Sequence, residues 1–140
     1  MSAPIDIRWT GEAVPGNLDA LQSFVEERLE EAGAPPRTRM QIAVAVEEVF
    51  VNIAHYAYAP GTGEADVAMA FSEAPAAVTI TFSDRGAPYD PLAKTDPDVT
   101  LGAEEREIGG LGIFMTKKLT DELRYEYRDG QNVLTLKKSW

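Results

Sequence analysis

The chain is 140 residues long with a mass of 15.3 kDa, and its 44% hydrophobic and 26% charged residues are ordinary for one globular domain. The absence of cysteine and the single histidine, His55, exclude disulfide frameworks, thiol nucleophiles, thiolate metal sites and two-histidine motifs. Thirteen Lys and Arg stand against 23 Asp and Glu, and the formal charge of −10 repels nucleic-acid backbone and anionic lipid because the cations do not cluster strongly.

Met1-Ser2-Ala3-Pro4 lacks the basic start and apolar run of a secretory signal. No apolar stretch approaches the roughly 20 residues needed to cross a bilayer. A cytoplasmic protein with no nucleic-acid or membrane partner is the expectation. Ile5, Ile7 and Trp9 alternate with polar residues and predict a short strand. Asn17 offers an N-cap, and Leu18, Leu21, Phe24, Val25 and Leu29 recur at helical spacing until Gly33. Pro35 and Pro36 suit the start of a second helix, from about Arg37 to Tyr56, with Ile42, Val46, Val49, Phe50 and Ile53 as its apolar stripe.

Two strands follow, Val67 to Phe71 and Val78 to Phe82, joined by a turn at Glu73-Ala74-Pro75-Ala76. From Asp84 to Glu107 the pattern stops, and prolines at 88, 91 and 97 forbid a continuous element. A loop of that length inside a small domain is commonly functional. Gly109-Gly110-Leu111-Gly112 leads into a helix to about Lys118, and Leu123 to Lys137 reads as a hairpin turning near Asp129-Gly130. The order βααββ-loop-αββ predicts a two-layer α/β (α+β) sandwich over residues 1–140, with a mostly antiparallel sheet and helices on one face.

Three constellations carry chemistry. Glu48 and Asn52 lie one turn apart on the second helix, and Asn is a poor helix former between Val51 and Ile53; a used amide or a solvated polar face both fit. Asp84-Arg85-Gly86-Ala87-Pro88 follows a buried strand and reads either as a carboxylate beside a close-approach backbone or as turn chemistry. Gly109-Gly110-Leu111-Gly112 opens a helix and suits either an anion or a hinge. It is neither a P-loop nor a dinucleotide fingerprint, since no Gly-Lys-Ser/Thr occurs and no strand precedes it. Asp96, Asp98, Thr100, Glu104 and Glu107 fall at EF-hand spacing, but Leu101 occupies the position that needs glycine, so a calcium loop is not expected.

In order and separation the three sets resemble the N box (Glu48 to Asn52) and the first and second glycine boxes (Asp84 to Pro88; Gly110 to Gly112) of the GHKL ATPases. The resemblance covers about residues 10 to 138. The short length, the run from Asn52 to Tyr58 and Pro88-Tyr89-Asp90-Pro91 are most similar to bacterial anti-sigma factor serine-protein kinases.

That resemblance implies a histidine-kinase-like ATPase fold and, as cofactors, ATP and Mg²⁺. It implies phosphorylation of a serine on a STAS-type anti-anti-sigma factor, sequestration of a sigma factor, and a homodimer through the first strand and the helix from Asn17. Residue by residue it makes Asn52 the Mg²⁺ ligand, Glu48 the catalytic base and Asp84 the acceptor for the adenine amino group. It gives Gly86 room for the ring, sets Gly110 and Gly112 around the phosphates, and makes Leu92 to Ile108 the lid. It also implies an arginine close before the second glycine box that meets the terminal phosphate; the nearest is Arg106, four residues before Gly110. His55 stands one residue early for the family histidine and reads as a packing residue at the helix end. The acidic lid residues, Asp96, Asp98, Glu104, Glu105 and Glu107, repel nucleotide unless they point outward or pair. An ATP-dependent partner-switching module without phosphotransfer stays open as the alternative. So does the ATP-binding half of a histidine-kinase-like system, although no phospho-accepting helix pair is seen before it.

Overall fold

Strand alternation builds one sheet. The computed structural model describes residues 7–58, 60–93 and 110–140. Its strands are β1 (Ile7–Glu12), β2 (Glu64–Glu73), β3 (Ala76–Asp84), β4 (Glu122–Arg128) and β5 (Gln131–Ser139). They lie in the order β1-β2-β3-β5-β4, every neighbouring pair antiparallel. Register aligns the apolar positions in rows across the strands. Ile7, Met69, Ile80, Leu136 and Leu123 form one row, and Trp9, Val67, Phe82, Leu134 and Tyr125 form the next. Two residues on, and so on the same face, the row reads Gly11, Ala65, Asp84, Asn132 and Tyr127. The core-facing side of the sheet therefore ends on two buried polar residues, Asp84 and Asn132.

Three helices complete the second layer: α1 (Leu18–Glu31), α2 (Pro36–Asn52) and α3 (Gly110–Leu119). Leu21, Val25 and Leu29 of α1 are buried, and Leu18 and Phe24 are partly so. Asn17 is the N-cap residue, but its side chain makes no cap; its Nδ2 donates to the Glu12 carbonyl at 2.8 Å and ties the helix to the end of β1. Ile42, Val46, Val49 and Phe50 of α2 join the cluster formed by the sheet rows, as their spacing predicts. The Phe50 ring meets Trp9 edge-on, with centroids 5.9 Å apart at 81°.

Differences from the sequence reading concentrate near the cleft. The regular part of α2 stops at Asn52, four residues before the expected end, and Ile53–Ala57 continues as a π-turn. Such wide turns inside helices often mark functional sites. The turn delivers the Ala57 carbonyl to the loop after β3, where it accepts the Ala87 N–H at 2.8 Å. Within the segment expected to lack regular structure, Pro91–Ala93 forms a 3₁₀ turn. The hairpin turn falls on Asp129 and Gly130, both at positive φ (55° and 76°), the two-residue geometry whose twist matches antiparallel strands. Ile5, Arg106, the acidic lid residues and the EF-hand-like run lie outside the described residues.

Gly86 is a glycine for a reason of packing. A Cβ there would stand 2.1 Å from the Ala57 carbonyl oxygen and 2.4 Å from its carbon. Backbone atoms cannot yield as a flexible side chain does, so the loop would have to leave the helix end. Gly86→Ala is expected to cost about 1–3 kcal/mol, the usual range for overpacking a fixed site. Urea denaturation of both proteins checks this; an unchanged midpoint would show that the loop has slack.

Candidate functional site

The C-terminal half of α2, its π-turn and the ends of β3, β4 and β5 enclose an open cleft of about 400 Å³. Val49, Ile53, Phe82 and Leu134 supply apolar walls, as expected where two register rows meet a helix stripe. Asn52, Asp84 and Asn132 supply the polar groups, and Tyr89 and Tyr125 stand at the sides.

Asn52 is 5% exposed although it sits in a helix. Its Nδ2 donates to the Glu48 carbonyl at 3.0 Å and to Glu48 Oε1 at 3.3 Å. The amide nitrogen is thus engaged with its own helix, and the amide oxygen is the group left for the cleft. Glu48 itself is half-buried, and desolvation pushes its carboxyl above the usual range. Glu47 adds to this, while the Asn52 donor and His55 oppose it. The pair shares one face of the helix, as its spacing predicts, and Asn52 is the member that lines the cleft.

Asp84 ends β3 on the core-facing register and is 6% exposed. Its Oδ1 accepts the Gly86 N–H at 2.9 Å and Asn132 Nδ2 at 2.9 Å. Burial raises its pKa, and the two donors pull the other way. Among the described residues no cation pairs with it. The outgoing loop is fixed on its far side by Tyr58, whose hydroxyl accepts the Arg85 N–H at 2.8 Å and donates to the Glu64 carbonyl at 2.6 Å. Gly86 contributes its N–H to Asp84 and its missing Cβ to the contact with Ala57. The reason for that glycine is therefore the helix end, where the resemblance had implied only room for a ring.

Gly110 begins α3, which packs against α2, and Gly112 follows in its first turn. Two features escaped the sequence reading. Asn132 lies directly after the hairpin turn and passes for turn chemistry; only its shared parity with Leu134 and Leu136 signals that it faces inward. Tyr56 and Tyr89 stack at 4.7 Å with an interplanar angle of 13°, a pairing across 33 residues that no local pattern announces. Among the described residues no three His, Cys, Asp or Glu side chains converge on a metal position, and no helix is long and apolar enough to cross a membrane.

Comparison with known proteins agrees with this geometry. Serine/threonine-protein kinase BtrW of Bordetella bronchiseptica is 29% identical over 100 residues, 71% of this chain and 70% of that protein. The RsbU and RsbW domains of Rv1364c from Mycobacterium tuberculosis match with a TM-score of 0.66 at 21% identity, over 98% of this chain. The chain spans only 32% of that mycobacterial chain. The SiaB-SiaC complex from Pseudomonas aeruginosa matches with a TM-score of 0.61 at 20% identity, over 95% of this chain and 89% of the other. These two structures share the fold. The family model described as the histidine kinase-like ATPase domain matches residues 11–138, and the chain belongs to that family.

Proposed function

We propose that this ATPase domain binds Mg-ATP in the cleft and transfers the γ-phosphoryl group to a serine of a STAS-type anti-anti-sigma partner. One observation carries the reading: a desolvated carboxylate, Glu48, is hydrogen-bonded to the buried amide of Asn52, whose oxygen remains for the cleft that Asp84 also lines. The likeness to a protein named as a serine/threonine kinase, and to SiaB in its complex with SiaC, supports both the chemistry and a protein partner. Sequestration of a sigma factor and a homodimer through β1 and α1 belong to the same proposal; β1 pairs only with β2 among the described strands and leaves one edge open.

A magnesium ion fits the donor available: the Asn52 amide oxygen is a hard oxygen ligand, and a single side chain suits an ion that keeps waters and takes phosphate oxygens. Asn52 would hold the ion through its amide oxygen, and the ion would supply charge neutralisation on the phosphates. Glu48 takes the proton of the serine hydroxyl as the serine O–P bond forms and the bridging P–O bond of the γ-phosphate breaks, which leaves ADP. Desolvation raises its pKa and so makes it a stronger base than a free carboxylate. Asp84 accepts from the adenine amino group, and the backbone N–H groups at Gly110 and Gly112 receive phosphate oxygens at a helix N-terminus. Arg106 is proposed to meet the terminal phosphate.

The two α2 residues are expected to fail differently. Glu48→Ala retains ATP binding and loses phosphotransfer by about 10²–10⁴-fold, the usual contribution of a general base. Asn52→Ala loses Mg²⁺-dependent nucleotide binding, and turnover with it. Radiolabelled transfer to a STAS-domain partner, run beside calorimetry, separates them; transfer that survives in Glu48→Ala leaves the chain an ATP-dependent binding module.

Asp84→Asn replaces an acceptor by a group that can also donate. Affinity for ATP is expected to fall by about tenfold or more, and the preference over GTP to narrow, since a charged hydrogen bond carries that order of discrimination. Calorimetry with both nucleotides checks it.

The raised pKa of Glu48 also has a signature in stability. Because its folded value lies above that of a free glutamate, the folded state holds the proton more tightly than the unfolded chain. Stability from this group is full below that value and is lost as pH rises through the folded pKa. Glu48→Gln is therefore expected to be more stable than the wild type at pH 7, with the difference closing toward pH 4. Denaturation midpoints across this range test it, and a constant difference would refute the desolvation account.

A further inference from the structure

Every hydrogen-bonding position of the Asn132 amide is used, and the partners come from two separate pieces of chain, residues 84–89 and β4. Nδ2 donates to Asp84 Oδ1 at 2.9 Å on β3 and to the Ala87 carbonyl at 2.9 Å, with the Gly86 carbonyl at 3.4 Å. Oδ1 accepts the Tyr89 N–H at 3.0 Å and the hydroxyl of Tyr125 on β4. Rotating the amide by a half-turn would set nitrogen against the Tyr89 N–H and oxygen against both Asp84 and the Ala87 carbonyl. Its orientation is therefore determined by its neighbours.

We infer that Asn132 is a positioning residue for nucleobase recognition: it aims the Asp84 carboxylate into the cleft and pins the loop beside it, so that the pocket takes a base edge bearing an N–H donor and rejects one bearing a carbonyl. The inference rests on the reading of Asp84 as the base acceptor. Both donors that reach Asp84 among the described residues, Asn132 Nδ2 and the Gly86 N–H, fall on Oδ1. Oδ2 is left as the acceptor that a ligand meets. The two donors on Oδ1 offset part of the cost of burying the charge, and an ionised carboxylate accepts only. A six-amino purine satisfies it, while a six-oxo purine sets oxygen against oxygen. The same amide fixes the Tyr89 backbone, whose ring lines the cleft and stacks on Tyr56 of the π-turn. Acceptor and side wall are thus placed by one side chain, itself 6% exposed.

The test uses the whole chain with Mg²⁺ and compares ATP, GTP and purine riboside triphosphate, which is ATP without the amino group. Asn132→Leu keeps roughly the size of the side chain and removes the donor to Asp84, along with the acceptor for Tyr89 and Tyr125. The wild type is expected to prefer ATP over purine riboside triphosphate by about tenfold or more, and the variant by less than about threefold, the worth of one charge-assisted hydrogen bond. Asn132→Val, smaller and likewise without a donor, gives the same readout should the leucine variant fail to fold. Equal losses for ATP and purine riboside triphosphate, with the preference intact, would mean that the amide only holds the loop, and would overturn the inference. A wild type indifferent to the amino group, or an Asp84→Asn variant that keeps the preference, would overturn base reading by Asp84 and this inference with it. Preference abolished by Asp84→Asn but retained in the Asn132 variants would overturn the positioning role alone.

Discussion

A carboxylate on the core side of a sheet is the constraint around which this site is organised. Asp84 occupies the register position that would continue the row of Val67, Phe82 and Leu134 by one step, and it is buried there. Taking a charge out of water costs several kcal/mol unless donors replace the water. The fold supplies two, from Asn132 across the β3–β5 ladder and from the Gly86 N–H two residues on. That second donor exists only while the loop turns sharply against Ala57, which in turn requires a residue without Cβ. Strand register, loop shape and helix end are thus three parts of one solvation problem.

Helix α2 carries the opposite burden. Val46, Val49 and Phe50 bind it to the sheet, while Glu48 and Asn52 occupy the neighbouring face. A residue of low helix propensity, Asn52, is buried one position before the regular helix gives out. Its Nδ2 bonds back to the Glu48 carbonyl, the kind of local side-chain bond that competes with helical geometry. The π-turn begins at the next residue. Desolvation of Glu48 is a second local cost, and sites that must do chemistry commonly carry such costs against stability.

The sheet, the helix stripes and the two α2 residues were legible because each rests on periodicity: two for strands, 3.6 for helices. Ile42, Val46, Val49 and Phe50 all proved buried, and Glu48 and Asn52 proved to share a face. Asp84 was legible as a candidate, but its burial was not, since turn chemistry after a strand has the same sequence. What failed to show was whatever depends on pairing between distant segments. Asn132 matters because it faces Asp84, 48 positions earlier, and Tyr89 because it stacks on Tyr56. The early end of α2 was missed for a different reason: Ile53 to Ala57 keeps the apolar pattern of a helix, and a wider turn leaves no mark in that pattern.

Charge is the remaining constraint on how the proposed function can work. The protein is acidic overall, and the described residues lining the cleft include Asp84 and neither Lys nor Arg. A triphosphate placed there gains no attraction from those walls and meets Glu48 beside Asn52. Neutralisation must then come from the divalent ion, from backbone N–H groups at the start of α3, and from cations outside the described lining. This division suits a regulator. The base end is recognised by an acceptor that works on a neutral ring, so it contributes with any adenine nucleotide. The phosphate end draws on the ion and on backbone N–H groups, so occupancy responds to the phosphate state. With no Lys or Arg among the described lining residues, the difference between ADP and ATP is left to the ion and to the γ-phosphate, the group a partner serine would have to approach in the proposed transfer.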